Sequence, residues 1–338
     1  MQHSPRFRLC WVRLLTLNTL ATAFLSTAVA VEAQYATPPI SLGQTYFVAT
    51  NSFDGFFASG SQTVQAGPLE LLAAEAELMG HENLGVQLSD GSATEQHWNQ
   101  GGSDESLNPT KVALRTGGVD VLMMSPIGER LDGDIDLFGD LLSETNIQGR
   151  ILVQTSWSST FDGDPDAVNW GTIQNWIDRL HAEDGELDRL RTQLEGINQR
   201  AGRDVAFVVP IADAVHRLRQ EVQLGNVPGI ERQSDLFDET TGQPASAIVN
   251  LAAYVWFVVM YRQPADGLMA LVDLEDPISV AREQVLEQIA WDVSFGEPMA
   301  GVQVSMLWPN GVRTTHDLLH SMSLERQGRS NDGHSGHN

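Results

Sequence analysis

The feature that most restricts this chain is a rhythm of short, largely apolar runs, most of them followed by a longer stretch with helical spacing. The apolar runs are residues 45–50 (TYFVAT), 119–124 (VDVLMM), 151–155 (ILVQT) and 205–209 (VAFVV), with a weaker one at 84–88 (LGVQL). A strand with one wet face alternates polar and apolar residues. A continuous apolar run is buried on both faces, which demands helices above and below the sheet. The intervening stretches supply them. Residues 68–80 place Leu69, Leu72, Ala76 and Met79 at helical spacing, with Gly80 as the stop. A short helix is expected near Lys111 after a Gly- and Ser-rich loop at 89–104. Residues 170–200 read as one long helix or a helical hairpin through Trp176, Ile177, Leu180, Leu187, Leu190, Leu194 and Ile197. Residues 212–224 put Val215, Leu218 and Val222 on one face, and 280–292 form a last amphipathic helix. The pattern predicts an α/β fold, a three-layer α/β/α sandwich around a central parallel sheet. The run 251–261 (LAAYVWFVVMY) is too short to span a bilayer and reads as a helix buried against that sheet.

The ends of the chain read differently. Arg6, Arg8 and Arg13 precede an apolar stretch at 14–30 that closes on Ala28-Val29-Ala30. That is the pattern of a secretory signal peptide over residues 1–30, and it predicts a secreted or periplasmic protein. The folded domain is expected over 40–302. Residues 303–338 form a C-terminal extension without regular patterning, polar and disordered from Glu325 onward. Cys10 is the single cysteine and leaves with the leader, which excludes a disulfide framework, a thiolate nucleophile and a cysteine-based metal site. Against 44 acidic residues stand 20 basic ones, a net charge of −24, and Lys111 is the sole lysine. A surface so acidic repels phosphate backbones and anionic lipid, which argues against nucleic-acid and membrane partners.

In an open parallel sheet, ligands sit beyond the carboxyl ends of the strands. The segments there are Asn51-Ser52-Phe53, then Asp90-Gly91-Ser92 with His97-Trp98 further on, Ser125-Pro126, and Ser156-Trp157. Other candidate groups read as structural. His81 is expected to cap the helix ending at Gly80, and His181 and His216 to lie solvated on helix surfaces. Asp132, Asp134 and Asp136, like Asp162, Asp164 and Asp166, read as acidic turns, without the downstream glutamate of a calcium loop. His316 and His320 are four apart, but no third metal ligand accompanies them.

Four of these segments, in order, resemble the SGNH (GDSL-type) hydrolase superfamily in its secreted bacterial form. VATNSFDGFF is similar to the first block, in which a strand delivers a nucleophilic serine. LSDGSATEQHWNQ resembles a second block with a glycine ahead of a His-Trp pair. VDVLMMSPIGE stands where the third block belongs, and SDLFDETTGQPASAIVNLAAYVWFVVMY resembles the last block, Asp-x-x-His-Pro before an apolar helix. The resemblance implies an exported serine hydrolase of carbon–oxygen esters, such as acetyl groups on carbohydrate, without cofactor or metal. It makes Ser52 the nucleophile and its own N–H, with Gly91, the oxyanion donors. Asn51, Ser125, Trp98 and Trp157 become oxyanion or substrate contacts, the two tryptophans as stacking surfaces for a sugar ring.

The sequence departs from the family where catalysis needs a base. Gln243 occupies the histidine position before Pro244, and a carboxamide cannot take a proton near neutral pH. Thr240 holds the usual acid position, leaving Asp238 or Glu239 as displaced candidates. Thr50 replaces the first-block glycine, and Ile127 and Gly128 stand near the missing asparagine. His97 is then the candidate base. Two readings stay open: a hydrolase with weakened or altered activity, or a catalytically silent protein that binds a carbohydrate or another small ligand in the same cleft.

Overall fold

A computed structural model describes residues 38–51, 67–89, 95–125, 133–156, 164–237, 243–302, 307–308 and 311–312. Five strands form one wholly parallel sheet: β1 (Thr45–Asn51), β2 (Glu82–Ser89), β3 (Val121–Met124), β4 (Arg150–Gln154) and β5 (Ala206–Val209). Nine α-helices lie among the described residues: α1 (Pro68–Glu75), α2 (Glu95–Asn99), α3 (Pro109–Arg115), α4 (Asp134–Thr145), α5 (Trp170–Leu180), α6 (Glu186–Ala201), α7 (Ile211–Gln223), α8 (Ser246–Tyr261) and α9 (Pro277–Gly296). Helix α3 packs on α4 and α4 on α6, along one face. Helices α1, α8 and α7 cover the other, and α9 lies against α8 and α7. The expected three-layer sandwich is what forms.

The apolar runs explain the middle layer. Every residue of β3, β4 and β5 is buried, as are Tyr46 to Thr50 of β1. Helix α8 lacks any charged residue and buries nearly its whole circumference, because α1, α7 and α9 surround it. Helix α4 approaches α6 closely enough that a Cβ on Gly139 would sit 2.9 Å from the Ile197 side chain.

The helical reading of 68–80 needs correction. Helix α1 stops at Glu75; Glu77 takes a left-handed backbone and the chain folds back so that the Leu78 N–H reaches the Ala73 carbonyl at 2.9 Å. Leu78 is therefore buried while Met79 is 81% exposed. The stretch 170–200 resolves as a hairpin, α5 and α6, and the loop at 89–104 contains the short helix α2.

Residues Pro39–Val302 form one compact unit. Outside that unit, the described residues include the antiparallel pair Leu307–Trp308 with Gly311–Val312. The signal-peptide segment, His316, His320 and the polar tail from Glu325 lie outside the described residues. No helix among the described residues is long and apolar enough to cross a membrane.

Candidate functional site

The strand order β2-β1-β3-β4-β5 fixes where a ligand can enter. From β1 the chain crosses to β2 on one side, then returns past β1 to β3 and continues outward. The direction of winding reverses between β1 and β3, and the carboxyl ends of two such strands are where open parallel sheets form their ligand-binding crevice. There β1 closes on Asn51, in register with Ser89 of β2, while the Ser125 N–H after β3 donates to the Ala49 carbonyl at 3.1 Å. Ser125 is 1% exposed. The structure thus brings Asn51 and Ser125 to the same strand ends. Ser52, Gly91, Trp157 and Asp238 lie outside the described residues.

His97 is the side chain that meets this corner. It is fully buried, on α2, and its Nε2 lies 2.8 Å from the Thr50 carbonyl oxygen. A carbonyl has no proton to give, so Nε2–H is the donor and the basic lone pair belongs to Nδ1. The position of α2 is set by a buried polar lattice. Gln87 Nε2 and Asn108 Nδ2 both donate to the His97 carbonyl, at 2.8 and 2.6 Å. The two hydrogens of Asn108 Nδ2 are shared among three carbonyls, those of Trp98 and Gln100 lying at 3.0 and 3.2 Å, and Asn108 caps α3 by accepting the Lys111 N–H at 2.9 Å. Gln87 Oε1 accepts the Thr110 N–H at 3.1 Å and the Thr110 hydroxyl as well. Gln87, Asn108 and Thr110 carry no motif; the polar residue inside the apolar strand pattern of β2 was the one visible sign. Trp98 packs edge-on against Phe138 with ring centroids 4.8 Å apart, and the Lys111 ammonium sits 3.8 Å from its centroid. That ring is packed as a structural wedge.

Gln243 is half-buried. Phe237 and Pro244 pair as a β-bridge, and the Ala245 N–H reaches the Leu236 carbonyl at 2.9 Å, which closes the loop between them. Helix α8 then runs antiparallel to β4. Trp256 Nε1 donates to Gln154 Oε1 at the carboxyl end of β4, and Arg150 at the other end donates to the Met260 carbonyl. Gln243 therefore enters from the carboxyl side of the sheet.

The remaining histidines correct the sequence reading. His81 does not cap a helix; it precedes β2, half-buried, with Nδ1 against the Tyr261 hydroxyl and its ring stacked on Tyr46 at 5.0 Å. Burial holds its pKa down at about 4. His216 is buried, not solvated, and stacks on Trp176 at 5.6 Å. His181 is exposed but paired: its Nε2 lies 2.7 Å from Asp213 Oδ1 in the first turn of α7, and that hydrogen bond raises its pKa. This His-Asp pair stands beyond β5, three strands from β1, about 14 Å at the usual strand spacing. His97, bonded to Thr50 of β1, is much the nearer of the two imidazoles to the end of that strand. Asp134 is buried in the first turn of α4 rather than solvated, and Asp136 binds Arg200 at 2.6 Å. Asp164 caps a short turn, and Asp166 holds the Ser234 N–H and hydroxyl, each at 2.9 Å. Among the described residues, no three His, Cys, Asp or Glu side chains are grouped to hold a metal ion. In sequence comparison no protein-family model matches the chain, and no curated protein sequence matches it.

Proposed function

We propose that this chain is an SGNH-like serine hydrolase of small carbon–oxygen esters, acetyl groups on carbohydrate being the favoured substrate class, in a secreted or periplasmic setting. The observation that carries the reading is the fixed imidazole: His97 is bonded to the backbone of Thr50, two residues before Ser52, at the switch point of the sheet. In this mechanism Ser52 Oγ attacks the ester carbonyl carbon while its proton passes to His97 Nδ1. The oxyanion is held by backbone N–H groups, those of Ser52 and Gly91 among them. The protonated imidazole returns the proton to the departing alcohol. Water then attacks the acyl-enzyme with the same base, and the carboxylic acid leaves. The Thr50 carbonyl does the orienting that an acid does in other triads, so Asp238 is dispensable here.

A second reading, a silent carbohydrate-binding protein, is favoured by Gln243 in the histidine position and by the complete burial of His97. Hydrolysis of an activated acetyl ester separates them. The purified protein should turn over the ester, Ser52→Ala should abolish turnover, and His97→Gln should lower it by about 10²-fold or more. Glutamine can still donate to Thr50, so that variant keeps the structural bond while removing the base. Turnover no greater than that of Ser52→Ala would exclude the hydrolase and leave the binding reading.

A further inference from the structure

Arg219 differs from the ion-paired arginines of this acidic chain, and among the described arginines it leaves both Nη atoms buried without a hydrogen-bond partner. Arg115, Arg191, Arg200, Arg217, Arg232 and Arg282 each meet a carboxylate. Arg219, on α7, is 0% exposed and meets none. Its Nε donates to Gln233 Oε1 at 2.9 Å, and Gln233 returns a bond to the Arg219 carbonyl at 2.9 Å. The guanidinium carbon lies 4.8 Å from the Trp176 ring centroid and 5.4 Å from that of Phe237. Two aromatic faces stabilise a cation but accept no in-plane hydrogen bond from it. Both Nη atoms are buried, and neither has a hydrogen-bond partner. The one influence that shifts its pKa is burial, which lowers it to about 10.

The geometry of the open edge selects a ligand. With Nε committed, Nη1 and Nη2 present the two parallel donors that match the two oxygens of a carboxylate. Trp176, whose ring covers the guanidinium, also lines a groove of about 590 Å³ along α5, together with Thr172, Asn175, Asp178, Arg179 and Ala182. His216 stacks on the same indole with its buried Nδ1 unpartnered. We propose that Arg219 and His216 form the floor of a binding site for a small monocarboxylate, closed by Trp176 and entered from the groove along α5 when that indole turns. The carboxylate seats on Nη1 and Nη2, and its alkyl part lies against Trp176 and Phe237. The site is separate from the β1/β3 crevice and does not depend on ester hydrolysis.

The test needs no turnover. The full chain is titrated with sodium acetate and sodium butyrate against sodium chloride, at constant ionic strength and pH, following Tm and tryptophan fluorescence. Carboxylate, but not chloride, should raise Tm and change the emission saturably. Trp176→Phe should lose the emission change while keeping the rise in Tm. Arg219→Met removes the buried charge at similar volume and should fold yet lose both responses. Should Arg219→Met fail to fold, Arg219→Lys decides: without the fork, the carboxylate midpoint should rise at least tenfold. Equal effects of carboxylate and chloride on the native chain, an unchanged response in Arg219→Met, or an unmoved midpoint in Arg219→Lys would each overturn the site.

Discussion

Two buried polar regions of this protein are built on opposite principles. Around α2, buried carboxamides meet the backbone: Gln87 of β2 and Asn108 before α3 bond carbonyls of α2 and N–H groups of α3, and the His97 ring is tied to β1. At the seam of α8 and α9, carboxylates are buried with too few donors. Glu283 is 1% exposed and is held by Asn250 at 3.1 Å and Arg282 at 3.2 Å. Glu287 is 5% exposed; its Oε2 accepts one long bond from the Gly267 N–H at 3.3 Å, and its Oε1 has no hydrogen-bond partner. A satisfied lattice fixes one geometry. An under-satisfied one makes stability depend on whether a proton is present.

The sharpest way to break this comparison is Asn108→Ala. It removes the cap of α3, worth about 1 kcal/mol, and strips donors from the buried carbonyls around α2, at about 1–3 kcal/mol each. His97 keeps its bond from Gln87, so the net loss should be about 4 kcal/mol by urea unfolding. The variant should also lose ester turnover, because α2 no longer holds the His97 ring on Thr50. A loss under about 1 kcal/mol would show that the lattice is not what positions α2.

How far the sequence reveals these regions follows from what each depends on. The sheet was legible because continuous apolar runs have one stable destination, and α8 because a chargeless helix must be surrounded. Ser52, Gly91, Trp157 and Asp238 were read by resemblance and fall outside the described residues. The placement of His97 was illegible in the sequence, since it rests on a backbone carbonyl 47 positions away and on two carboxamides with no pattern between them. Helix α2 was missed for a related reason: five residues, EQHWN, give no periodicity to detect. His216 was misread because the apolar stripe of α7 accounts for one side, whereas the helix packs on α5, α8 and α9 and buries its polar side too.

The seam makes the second prediction, of about 3 kcal/mol. Burial lifts the Glu287 pKa from 4.5 to about 7, with Asp266, Glu283 and Glu75 adding to the effect and the Gly267 N–H opposing it. Between these values the folded chain holds a proton that the unfolded chain has released. Stability from this group is therefore complete below about pH 4.5 and is lost as pH rises through 7. A shift of this size corresponds to about 3 kcal/mol. His81 and His216 act in the opposite direction, since burial holds each near pH 4 and both weaken the fold as acid charges them. The informative quantity is thus the difference between the native chain and Glu287→Gln, measured by urea unfolding from pH 4.5 to 8. That difference should grow by about 3 kcal/mol in favour of the variant. A flat difference would mean that Glu287 stays ionised in the fold.

The smallest effect belongs to the exposed counterpart of both regions, the His181–Asp213 pair. Here the histidine is 42% exposed, so water screens the charge and can replace the lost partner. Asp213 still raises the His181 pKa, chiefly through their hydrogen bond. Its contribution to stability is greatest when the imidazole is charged and fades as pH rises through the raised pKa. Asp213→Asn should lower the pKa of His181, read from its ring protons by NMR, while changing stability by less than about 1 kcal/mol. Ester turnover should be unchanged, because Asp213 follows β5, which lies three strand spacings, about 14 Å, from β1. Loss of turnover in Asp213→Asn would move the catalytic base from His97 to His181 and dissolve the distinction drawn between a functional buried imidazole and a peripheral exposed one.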